Sequence, residues 1–135
     1  MSNSITHTAK VFLPTSNGIN SFWIDDIMCF ESFNIYSYVH YQGKKVFCGI
    51  SLKKLELILD PKHFYRCHKS IIVNISNITT IPKGTKNQLT MSSGINVPFS
   101  RRKNIALWDH FKQHTSFING NKNLSKHGTG IIIQS

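Results

Sequence analysis

From Thr8 to Leu13 apolar and polar residues alternate loosely, Pro14-Thr15-Ser16-Asn17-Gly18 interrupts them, and Ile19 to Ile24 resumes in β-forming residues. Two such runs around a cluster of turn residues predict a β-hairpin. Asp25-Asp26 forms the next turn, ahead of Ile27–Phe33, and Tyr36–Tyr41 follows as an aromatic, β-branched run. Gln42-Gly43-Lys44 turns that run into Val46–Ile50. The period then changes. Ser51 stands as a cap before Leu52–Leu59, where Leu52, Leu55, Ile58 and Leu59 share a helical face, and Asp60-Pro61 stops the helix. Phe64–Ser70 is a mixed polar, extended segment that flows into the apolar run Ile71–Asn74. Asn77–Ile81 and Gln88–Met91 predict two strands joined by an exposed basic turn, and Ser92-Ser93-Gly94 closes a hairpin into Ile95–Phe99. Ser100 is placed to cap a second helix over Arg101–His114, with Ile105, Trp108 and Phe111 seating it on the core.

Many short strands and two short helices make a mostly β fold. With no βαβ alternation, no internal repeat and no Gly-rich phosphate cradle, the Rossmann and P-loop folds are excluded. A chain of 135 residues, 40% hydrophobic, is long enough for one domain with a core. No stretch reaches the roughly 18 apolar residues of a membrane span. The N-terminus has neither the basic nor the apolar region of a signal peptide, so the expected location is the cytoplasm. Cys29, Cys48 and Cys67 are odd in number and unpaired in spacing, which fits a reducing compartment better than a disulfide framework.

Charge changes the picture. Residues 1–60 hold five basic side chains and five acidic ones, whereas residues 61–135 hold eleven basic and a single acid, Asp109. All of the net charge of +10 therefore lies in the second part of the chain, which should attract a polyanion. No basic amphipathic helix with a broad apolar face is visible, so a nucleic acid fits better than an anionic membrane.

Catalytic chemistry is poorly supported. Cys67 and His68 are adjacent on an extended segment, so they point to opposite faces; a core cysteine beside a surface histidine is the better account. His110 and His114 share a helix face, but no Cys-x-x-Cys or acidic partner completes a metal site. Asp25-Asp26 reads as a solvated turn. Neither an enzyme, nor a cofactor, nor a metal is expected.

Binding chemistry is better supported. His68, Lys69 and Ser70 place three donor-capable side chains where a loop hands over to a strand, suited to phosphate or to the N7 and O6 acceptors of guanine. Arg101-Arg102-Lys103 opens the second helix, where positive charges oppose the helix dipole and favour an anionic partner.

The run Phe64-Tyr65-Arg66-Cys67-His68-Lys69-Ser70-Ile71-Ile72-Val73-Asn74-Ile75-Ser76-Asn77-Ile78 resembles the signature F-x-R-x-H-x-S-x-x-V-N-x-x-x-I of the LytTR DNA-binding domain. Asp26–Ser32 is similar to that family's opening strand, Ser51–Glu56 to its short helix, and Val97–Arg102 to its closing P-V-S-R region. The resemblance spans roughly residues 22–113. It sets the expected boundaries at a lead-in and edge strand over 1–21, a LytTR-like domain over 22–114 and a flexible tail over 115–135.

This resemblance implies an elongated multi-stranded β fold and a bacterial transcription regulator of the kind used as a response-regulator output domain in two-component systems. Such domains read double-stranded DNA through loops in successive major grooves and bend it at paired direct repeats near promoters. Carried over, it puts base contacts at Lys69 and Arg102, with a third at Ser37 or Tyr36. Lys86 matches a backbone-contact position, and Lys83, Arg101 and Lys103 are further phosphate candidates. Arg66, His68, Ser70, Asn74 and Ser100 are expected to position loops or touch the backbone. A second copy on an adjacent repeat is an expected partner. The short lead-in implies either a stand-alone regulator or an output domain separated from its receiver. The alternative is a β module for single-stranded RNA or DNA, stacking bases on Tyr36, Tyr38 and Tyr41.

Overall fold

The computed structural model describes residues 9–82 and 87–114. The chain forms two compact units, the first ending at Ile78 and the second beginning at Thr79.

The first unit is built on one antiparallel sheet. Its strands are β1 (Lys10–Thr15), β2 (Gly18–Trp23), β3 (Ile27–Phe33), β4 (Tyr36–Tyr41), β5 (Lys44–Cys48), β6 (Phe64–His68) and β7 (Ile71–Asn74), in the order β2-β1-β5-β4-β3-β7-β6. The β1–β2 hairpin follows the alternation seen in the sequence, pairing Leu13 with Asn20 and Val11 with Phe22. Gln42 and Gly43 both have positive φ at the β4–β5 turn, the type I′ arrangement that matches strand twist. Asp25-Asp26 lies in a 3-10 turn over Ile24–Asp26. The polar stretch at Phe64–His68, read from sequence only as extended, is a full strand with an irregularity between Arg66 and His68.

Strand alternation sorts the two faces. Phe30, Val39, Leu13 and Ile72 are buried on one face, where helix α1 (Leu52–Ile58) covers them with Leu52 and Leu55, and Leu59 follows from its C-cap. Ile58, expected on that apolar face, is 55% exposed, because a helix this short seats a single stripe of side chains. The opposite face carries Phe33, Tyr36, Tyr38 and Phe47, whose ring centroids lie 4.8–6.4 Å apart. Ser51 caps α1 as expected, accepting from Lys54 N at 3.2 Å. Ser51→Ala should cost about 1 kcal/mol, read as a lower denaturant midpoint with an unchanged slope.

The second unit has a three-stranded sheet in the order β10-β9-β8, from β8 (Ile78–Thr80), β9 (Gln88–Met91) and β10 (Asn96–Pro98). A 3-10 turn over Arg102–Asn104 then leads into helix α2 (Ile105–His114). Two expectations are corrected here. Ser100 does not cap with its side chain; its carbonyl accepts from Asn104 Nδ2 at 2.7 Å, while Arg101 occupies the cap position. Ile105 is 60% exposed, and Leu107 with Asn104 takes the buried stripe, because the tighter first turn rotates the helix relative to a regular α-helix begun at Arg101.

Candidate nucleic-acid interface

Sheet register gathers several connections of the first unit at one end. Thr15 pairs with Cys48, Cys48 with Ser37 and Ser37 with Ser32, while Ser32 N donates to Ser70 O at 2.9 Å. The β1–β2, β3–β4 and β6–β7 turns therefore share an edge with the β5–α1 connection. Positions 34–37 and 68–70, far apart in sequence, lie side by side.

Lys69 and Ser70 form the two-residue β6–β7 turn, closed by His68 pairing with Ile71. Arg66 holds this turn from beneath: its Nε donates to His68 O at 3.3 Å and its Nη2 to Lys69 O. Its Nη1 donates to Glu56 Oε1 of α1 at 2.8 Å. Ser70 N donates to His68 Nδ1 at 3.1 Å, which makes that nitrogen an acceptor and leaves Nε2 as the ring's N–H donor. The Ser70 hydroxyl lies 2.9 Å from the same Nδ1. With its backbone held on both sides, Lys69 is exposed, and its ammonium has no partner among the described residues.

The β3–β4 turn separates the two candidates for a third base contact. Asn34 takes the left-handed conformation at φ +54°, tolerable for asparagine, and Ile35 at the tip is 71% exposed. Tyr36 is 41% exposed and packs edge-on to Phe47 at 5.4 Å. Ser37 is fully buried and its hydroxyl donates to Ile50 O at 2.8 Å. Alternation sends Ser37 into the core and Tyr36 outward, so Ser37 has no surface to offer a base and only Tyr36 is carried forward.

Asn74 also departs from expectation. It is 1% exposed and closes the far end of β7, a whole strand away from the Lys69 turn. Its Nδ2 donates to Ile24 O and Ile27 O at 2.9 Å each, and its Oδ1 accepts from Ser76 N. Asn77 Nδ2 adds bonds to Asp25 O and Ile27 O. Asn74 thus locks the Ile24–Asp26 turn to the sheet and is not available to phosphate.

In the second unit the three adjacent cations divide their roles. Arg101 is half-buried, its Nη2 donates to Pro82 O, and its guanidinium lies over the Trp108 ring at 5.0 Å. Arg102 and Lys103, on the 3-10 turn, are both exposed. Lys83 and Lys86, and the side chains of His110 and His114, lie outside the described residues.

The other chemistries find little support. Among the described residues no three His, Cys, Asp or Glu side chains gather as metal ligands. Cys67 is 4% exposed, and burial pushes its thiol up to about 12, so at neutral pH it is a core group beside the more exposed His68. His40 donates to Glu31 at 2.9 Å and holds that carboxyl below its usual range, with Lys45 at 3.5 Å assisting. The tyrosines proposed as a stacking platform do not share a face: Tyr41 is half-buried on the core side, where its OH accepts from Trp23 N. Tyr38 lies beneath Lys45, with Nζ 4.9 Å from the ring.

A family model described as the LytTr DNA-binding domain matches residues 17–112. The chain belongs to the LytTR family of DNA-binding domains. The matched span begins ahead of the expected boundary at residue 22 and takes in β2. A solved structure, the LytTr DNA-binding domain of a protein described as a methyl-accepting/DNA response regulator of Bacillus cereus, is similar to this LytTR chain. It has 28% identity and a TM-score of 0.60, with 78% of this chain and 95% of that one covered. No curated protein sequence matches the chain. The mostly β LytTR architecture expected from the sequence is therefore the one found.

Two contacts around these candidate residues of the LytTR domain carry no signal in the sequence. Glu56 reads as an ordinary solvated helix residue until the fold brings it to Arg66. The Arg101 contacts with Pro82 and Trp108 likewise become visible only in three dimensions.

Proposed function

We propose that this LytTR domain is the DNA-reading part of a transcription regulator, recognising double-stranded DNA by sequence through its loops in successive major grooves. The observation that carries the reading is the Lys69 turn, whose backbone is pinned by Arg66 and His68 while its ammonium points away from any described partner. A pinned backbone fixes where the Lys69 side chain starts, so only that side chain has to be ordered on binding, which favours directed contact with a base edge over diffuse attraction to phosphate. Tyr36, at the same sheet end, supplies a second contact, and Arg102 forks onto a guanine edge from the second unit. Lys103, Lys83 and Lys86 neutralise phosphates, His68 and Ser70 hold the turn and meet the backbone, and Arg101 positions Arg102. Two copies side by side on direct repeats bend the duplex.

Selection of duplexes from a random pool at about 150 mM salt, where nonspecific attraction is weak, tests the reading. Enrichment of a short motif, repeated in the same direction about one helical turn apart, is expected. No enrichment, with affinity that collapses as salt rises, would overturn it. Preference for a single strand of the same sequence would favour the stacking alternative.

On the selected site, Arg102→Ala should cost about 1–3 kcal/mol and relax preference at one base pair. Unchanged affinity and preference would remove Arg102 from the contact set. Lys83→Ala should instead weaken all sequences alike and flatten the salt dependence.

A further inference from the structure

We infer that Glu56, on helix α1, is a positioning residue for base reading by Lys69, acting through the Arg66 guanidinium. The inference rests on the proposal that Lys69 contacts DNA, and it adds a residue of a different element to that contact.

Arg66 is shared between three acceptors. Nε and Nη2 take the carbonyls of His68 and Lys69, which lead into and form the turn, and Nη1 takes Glu56 Oε1 at 2.8 Å. A guanidinium is planar and its N–H groups form a rigid fork, so fixing Nη1 on the carboxylate fixes where Nε and Nη2 point. On the β3 side Ser32 N ties the turn through Ser70 O, but on the β6 side the sheet gives it little other support. The ladder passes from Arg66–Ile72 directly to His68–Ile71, so Cys67 is an extra residue and the regular spacing of backbone bonds is lost. The fork of Arg66 stands where that regularity fails.

Charge points the same way. Without the carboxylate, Arg66 would be a half-exposed cation next to the proposed DNA contact, drawn outward to phosphate and away from the two carbonyls. Glu56 neutralises it and keeps it beneath the turn. The pair is not needed to dock α1, which is already seated by Leu52 and Leu55, both nearly inaccessible. An ion pair with side chains 28% and 46% exposed adds little to that docking.

The experiment measures the affinity of the full chain for every single-base-pair change in the selected site, with Lys69→Ala, Glu56→Ala and Glu56→Gln compared to the parent. Lys69→Ala identifies the base pair that Lys69 reads. Glu56→Ala is expected to reduce preference at that base pair about three- to fivefold, with preference elsewhere unchanged and the salt slope steeper by about one phosphate contact as Arg66 turns outward. Glu56→Gln, whose carbonyl oxygen can still accept from Nη1, is expected to restore most of it. If Glu56→Ala leaves the Lys69-dependent preference intact, or weakens all sequences equally while lowering the unfolding midpoint, the pair serves only to anchor α1 and the inference is wrong.

Amide hydrogen exchange without DNA provides a separate reading. The Ser70 amide, bonded to His68 Nδ1, should exchange about fivefold faster in Glu56→Ala, with Val39 in the buried sheet unchanged. Equal Ser70 rates would overturn the inference whatever the DNA result. Failure to select any motif would instead overturn the proposed function.

Discussion

Above pH 9 the folded protein is expected to lose stability at about 4 kcal/mol per pH unit, continuing toward pH 11. Burial pushes the thiols of Cys29 and Cys67 up from 9.0 to about 12, and that of Cys48 to about 11. All three are 4% exposed or less. In the unfolded chain these thiols ionise above their ordinary value, while in the folded chain they keep their protons. Over that window the unfolded state binds fewer protons, so stability falls as pH rises; below pH 9 both states are protonated and the contribution vanishes. Each thiol supplies about 1.4 kcal/mol per pH unit. Denaturant midpoints measured from pH 7 to pH 10 should be flat and then drop. A variant with Cys29 and Cys67 replaced by Val should drop less than half as steeply, and a parent curve with the same slope as that variant would contradict the assignment. The same burial implies that alkylating reagents leave the native protein unmodified near pH 8 and label it after unfolding.

Asn74→Ala is expected to cost about 3 kcal/mol, because one buried amide makes three hydrogen bonds and each contributes roughly 1 kcal/mol. Asn77 donates to the same Ile27 carbonyl, so each side chain still serves that oxygen when the other is removed. The double replacement should therefore cost more than the two single ones added together, by about 1–2 kcal/mol, since Ile27 O then loses both side-chain donors. Asn74→Asp sharpens the test. A carboxylate there would face the carbonyls of Ile24 and Ile27 with no hydrogen to give, so at pH 7 it should be worse than Ala, with partial recovery as acid protonates it. Equal midpoints for Asn74→Ala and the parent would mean that the Ile24–Asp26 turn is held by its backbone alone.

Both predictions concern residues whose type was visible in the chain and whose work was not. Asn74 stood out in the family signature, but its expected place at the reading turn depended on which way the side chain faced and on which end of β7 it closed. Ser37 and Tyr36 show the same limit in two neighbouring residues. A shift of one position along a strand exchanges core for surface, and the irregular spacing between Glu31 and Tyr36 left that register open. Cys67 and His68 were the easier case, because adjacent strand residues must diverge whichever way the strand is turned.

Local order was legible because it depends on neighbours in sequence. The two hairpins, the Ser51 cap and the stop at Asp60-Pro61 follow from turn chemistry and period, and the basic second part of the chain follows from counting. The LytTR signature was legible because its motif residues keep their order and spacing, and it carried the family and the mostly β architecture. The sequence by itself determined these features. Tertiary structure alone decided the seven-strand order that sets the Lys69 turn beside Tyr36, the 3-10 turn that rotates α2 onto Leu107, and the meeting of Glu56 with Arg66. Each of these depends on how residues distant in the chain pair and pack, and a pairing shifted by one residue changes the answer while leaving the local pattern the same.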